Sequence, residues 1–73
     1  MKTYMRVSTK DYTGRRRRLI LLVTKDSDRW LAGWKADKNG DRTDDFHLID
    51  KSAITKRTML VMNNHYGELE EAQ

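Results

Sequence analysis

The chain has 73 residues, with 15 Lys+Arg against 11 Asp+Glu for a formal charge of +4, and no cysteine. That length holds one domain, and the lack of Cys excludes a disulfide-stapled miniprotein and a cysteine zinc ribbon. Apolar residues (37%) and charged residues (36%) nearly balance, and the longest apolar run, Leu19 to Val23, is too short to cross a bilayer as a helix.

Residues 3–9 alternate, with Thr3, Met5, Val7 and Thr9 on one side and Tyr4, Arg6 and Ser8 on the other, which is the period of a strand. Lys10 to Gly14 reads as a turn in which Gly14 is free to take positive φ. Arg15 to Lys25 opens as an arginine run and continues as Leu19-Ile20-Leu21-Leu22-Val23. Its second half is apolar on both parities, which predicts a central strand covered on both faces. Its Val and Ile, and the lack of a cap, favour strand over helix. Lys25 to Arg29 is a polar loop.

Asn39-Gly40 between two extended runs predicts a type I′ hairpin. With those two residues at its centre, Lys35 faces Asp44, Trp34 faces Asp45, Gly33 faces Phe46, Leu31 faces Leu48 and Trp30 faces Ile49. Leu31, Phe46 and Leu48 then share one face, and Trp30, Trp34, His47 and Ile49 the other. A slip of one residue exchanges the two sets. Asp50 to Ala53 reads as a tight turn or one helical turn, capped by Asp50 or Ser52. Ile54 to Met62 alternates as a last strand, with a helix from Ser52 as the competing reading. Residues 1–63 are the expected domain, and residues 64–73, with Glu68, Glu70 and Glu71, an acidic flexible tail. The expected fold class is mainly β: a small antiparallel barrel or strongly twisted sheet of four to five strands with one short helical turn.

Charge is uneven. Residues 1–35 carry ten Lys/Arg and three Asp, for +7; residues 36–73 carry five Lys/Arg and eight Asp/Glu, for −3. The first half suits an acidic partner. Guanidiniums of Arg15, Arg16, Arg17 and Arg18 grip carboxylates or phosphates bidentately. Along a strand they alternate, so at most two share a surface; the plain alternative is an exposed strand start that keeps the sheet soluble. Trp30 and Trp34 are read either as core or half-buried side chains or as an exposed stacking platform, and the demands of a small core favour the former. Tyr4 and Arg6 project from a first strand expected at a sheet edge, where an extended peptide can be accepted. The candidate partner-binding residues are therefore Tyr4, Met5, Arg6, Val7 and Ser8, assisted by Arg15, Arg16, Arg17 and Arg18.

No catalytic, metal or cofactor site is expected. Asp37, Asn39, Asp41, Asp44 and Asp45 fail the calcium-loop spacing, because Gly40 falls too early and Leu48 stands where the loop needs Glu. His47 and His65, without Cys, make no zinc set. The serines lack a nucleophile context, no carboxylate pair stands out, and the four glycines are dispersed. The opening MKTYMRVSTK has no apolar segment of the kind a secretory signal requires.

The opening MKTYMRVSTKDYTGRRRR, the WLAGW segment, the length and the acidic end resemble the small transcription regulators of lytic Xanthomonas phages, which inhibit host RNA polymerase and act as antiterminators. The resemblance spans the chain and rests on no diagnostic motif. It implies a non-enzymatic monomer in the bacterial cytoplasm. Its partner would be the amino-terminal region of the polymerase β′ subunit, with contacts toward the β flap. There it would weaken σ-factor attachment and later permit terminator read-through. The alternative is a small β-barrel nucleic-acid binder that uses Arg15 to Arg18 and the Trp30/Trp34 face.

Overall fold

The computed structural model describes residues 1–72; Gln73, the end of the expected tail, lies outside them. Six strands form one antiparallel sheet: β1 (Tyr4–Lys10), β2 (Arg16–Asp26), β3 (Trp30–Ala36), β4 (Arg42–Asp50), β5 (Ile54–Asn63) and β6 (Glu68–Glu71). A single 3-10 turn, Lys51–Ala53, precedes β5 and is capped by Asp50, whose side chain accepts from the Ser52 N–H. The mainly β class matches the sequence pattern, as do the short helical turn and the strand reading of residues 54–62. The sheet is twisted and open, in the order β4-β3-β2-β1-β5-β6.

That order forces the curvature. β4 and β5 lie four places apart, about 19 Å in a flat sheet at roughly 4.8 Å per strand. The connection from Asp50 to Ile54 reaches only about 14 Å when fully extended. The sheet must curl until these ends meet, and the Lys51 N–H donates to the Arg29 carbonyl at the corner, 2.8 Å. At the other end β6 folds back over the opposite face, where the Leu69 N–H donates to the Lys38 carbonyl, 2.8 Å.

Each face consequently carries its own small core. Tyr4, Ala36, Leu60 and Leu69 cluster on one face with Ile20 and Leu22 packed against them. Met5, Val7, Leu21 and Leu31 cluster on the other, flanked by Leu19, Val23, Ile49 and Ile54. The run that is apolar on both parities is thus the strand that supplies both cores. The acidic end corrects the tail expectation: Leu69 pairs in register with Met62 and is buried, so residues 68–71 form a strand.

Two hairpins share one turn design. In Asp11-Tyr12-Thr13-Gly14 and in Asp37-Lys38-Asn39-Gly40 the Gly N–H donates to the Asp carbonyl at 3.0 Å, and each Gly has φ of +84°. The Asp side chain accepts two further backbone N–H groups in each turn, two and four residues on. This is the three-residue loop that ends in a left-handed glycine. It replaces the expected type I′ turn, because Asp37 satisfies the donors and leaves only Gly40 at positive φ. The register moves accordingly, after a bulge in β4: Leu31 pairs with Ile49, Gly33 with His47, Trp34 with Phe46 and Trp30 with Asp50. The faces are exchanged relative to the expectation. Phe46 and Leu48 join the tryptophan face, and Leu31 sits with Ile49 and His47.

A cationic row and an aromatic patch on one sheet face

β1 is not an edge. It is paired to β2 on one side and β5 on the other, because the corner at residues 51–53 returns the chain beside it. Tyr4, Met5 and Val7 are buried, so these three expected contact residues belong to the core instead. The Tyr4 hydroxyl is also engaged, donating to the Gly40 carbonyl at 2.8 Å. Arg6 and Ser8 alternate with them and remain partly exposed.

The register brings cations together around Ser8. Its neighbours are Arg18 on β2 and Lys56 on β5; Arg6 stands opposite Thr58, and Lys10 opposite Arg16. By the alternation of a strand these seven side chains share one face. Arg6, Ser8, Arg18, Lys56 and Thr58, with Glu71 from β6, enclose a cleft of about 220 Å³. Arg6 Nη1 meets Glu71 Oε1 at 3.3 Å. Arg18 and Lys56 have no carboxylate within ion-pair distance among the described residues. Arg16 and Arg18 therefore lie on this face and Arg17 on the other, while Arg15 precedes the strand and its N–H is held by the Asp11 carboxylate at 2.9 Å.

Beside the row on the same face, Trp34 and Phe46 pair edge-to-face with centroids 5.0 Å apart. The Arg42 guanidinium lies 4.1 Å from the Trp34 ring centroid, and Arg29 lies 5.3 Å from that of Trp30. Both tryptophans are half-buried; Phe46 is 48% and Leu48 61% exposed. This agrees with the favoured reading of core or half-buried indoles, each being covered on part of its surface.

Lys56, Lys10, Arg42 and the Phe46–Leu48 pair were not singled out by the sequence. Lys56 is isolated in the chain and acquires its role only through the β1–β5 pairing. Phe46 was assigned to the wrong face by the turn type. Among the described residues no group of three or more His, Asp or Glu side chains is placed to hold a metal ion. No family model, no curated protein and no solved structure matches this chain.

Proposed function

We propose that the protein is a binding module that attaches through this face to an acidic surface of a larger protein, acting by association and not by catalysis. The observation that carries the reading is the Arg6–Glu71 pair inside the cationic cleft. This surface already receives a carboxylate, presented by β6 from across β5, in a space sized for a side chain. Arg18 and Lys56 flank it with unspent charge, which favours a further acidic group. The exposed Phe46 and Leu48 supply an apolar contact on the same sheet face, and apolar and charged groups together are the composition of a protein interface.

Following the resemblance drawn from the sequence, the partner is bacterial RNA polymerase. The module engages the amino-terminal region of β′ near the β flap, lowers σ-factor attachment at initiation and favours terminator read-through. It works as a monomer in the host cytoplasm. The test is retention of bacterial core polymerase on the immobilised protein at fixed salt. Arg18→Glu combined with Lys56→Glu should weaken retention about tenfold or more, since rim charges are worth roughly a kcal/mol each, with an unchanged circular dichroism spectrum. Equal retention by the variant and the parent would remove this surface from the interface.

A second reading has its own observation. Arg42 stacked on Trp34, next to the exposed Phe46, places aromatic rings and guanidiniums on one face, as single-strand nucleic-acid binders do. It predicts quenching of tryptophan fluorescence by oligothymidylate and affinity that falls linearly with the logarithm of salt concentration. An unchanged emission spectrum at low ionic strength would eliminate it.

A further inference from the structure

The opposite face holds a second concavity, of about 540 Å³, where the sheet curls toward the 51–53 corner. Leu19 and Ile49 form its apolar floor and Ala53 one wall; Arg17 and Lys35 stand at the rim with His47. Arg17 reaches this face because the arginine run alternates along β2, opposite to Arg16 and Arg18.

The charges in this cleft are not balanced by each other. Its three carboxylates are spent on internal bonds. Asp11 accepts the N–H groups of Thr13 and Arg15 and the Thr13 hydroxyl. Asp50 accepts from the Ser52 N–H at 3.0 Å and pairs with Arg29 at 3.5 Å. Asp45 lies 3.0 Å from His47 Nε2. Arg17 and Lys35, in contrast, have no carboxylate within ion-pair distance among the described residues. A concave apolar floor with two unspent cations at its rim is complementary to an oxyanion carried on an apolar body.

We propose that this cleft is a binding site for a small amphipathic oxyanion, an organic phosphate or carboxylate whose apolar part lies on Leu19 and Ile49 and whose charge is held between Arg17 and Lys35. Its floor lies on the other side of the sheet from the Arg6–Glu71 cleft, and Lys10 and Arg18 of the cationic row also line its margin.

The experiment is a ¹H–¹⁵N NMR titration of the full chain with three probes: inorganic phosphate, phenyl phosphate and benzoate. Saturable shifts confined to the amides of Arg17, Leu19, Lys35, His47 and Ile49 are expected with at least one aryl probe. Inorganic phosphate should bind more weakly, because it cannot use the floor. The aryl probe that binds more tightly identifies the anion, phosphate or carboxylate. The double variant Arg17→Gln, Lys35→Gln should lose about tenfold in affinity with its remaining spectrum unchanged. Inorganic phosphate binding as tightly as phenyl phosphate, shifts scattered over the surface, or an unaffected double variant would each overturn the proposal.

Discussion

At the scale of single residues, two positions carry consequences that neighbouring side chains do not share. Gly33 sits where a Cβ would lie 2.3 Å from the Leu22 carbonyl oxygen and 2.9 Å from its carbon. Those contacts are backbone, so they cannot rotate away. Gly33→Ala should cost on the order of 1–3 kcal/mol, seen as a lower urea midpoint with an unchanged slope. Its cross-strand partner is His47 and not the expected Phe46. Glu71 occupies the Arg6 guanidinium with a carboxylate that is itself 63% exposed. Glu71→Gln should free Arg6 and, if the proposed acidic partner docks here, tighten its binding by about two- to fivefold, the scale of one exposed ion pair, measured by titration calorimetry at low salt. Weaker binding by this variant would mean that Glu71 contacts the partner itself.

At the scale of elements, the turns and the corner rest on aspartates. The bond from the Thr13 hydroxyl holds the Asp11 carboxyl below its ordinary range, aided by backbone N–H groups and the nearby Arg17. The Lys51 ammonium, paired with Asp26, lowers that carboxyl, and the Ser52 N–H lowers Asp50. A carboxyl with a depressed folded-state pKa adds stability that is present above its unfolded value, near 4, and is lost as pH falls through the folded value. Melting temperature should therefore be flat from neutrality to about pH 5 and decline below about pH 4. Asp11→Ala should flatten part of that decline and itself lower the melting temperature, because the turn loses the acceptor that holds its N–H groups. An acid limb identical in the parent and the variant would show that Asp11 is not a contributor. Both Asp-x-x-Gly turns were visible in the sequence as glycines after polar residues. Their three-residue length was not, because it depends on Asp37 holding the N–H groups of Asn39 and Asp41. That one local bond moved the β3–β4 pairing and exchanged its faces.

At the scale of the whole molecule, the sheet is stable because both ends curl, each over a different face. β6 is part of that device. Leu69 is buried against Tyr4, Ala36 and Leu60, and Lys38 meets Glu68 at 3.6 Å. Removing residues 68–73 should uncover this cluster and cost about 2–4 kcal/mol, the scale of losing one buried leucine and its strand bonds. A thermal scan would detect it, whereas a dispensable tail would leave the melting temperature unchanged. The free edge of β4 is interrupted by the bulge at residues 43–45 and guarded by Asp44, Asp45 and Arg42, features that discourage strand addition by another chain.

The sequence by itself determined five of the six strands, the turn sites, the two-sided character of Leu19 to Val23 and the excess of positive charge in the first half. All of these are local: alternation, glycine placement and composition act over a few residues. Only the tertiary structure decided which cations meet. Arg6, Arg18 and Lys56 come from three strands, and their proximity is a matter of strand order and register. Both are set by a corner too short for a flat sheet and by a register shift in the β1–β5 pairing, between Ser8 and Thr9, that no residue pattern announced. The same packing took Tyr4, Met5 and Val7 out of reach, because a first strand becomes central once the chain after the corner returns beside it.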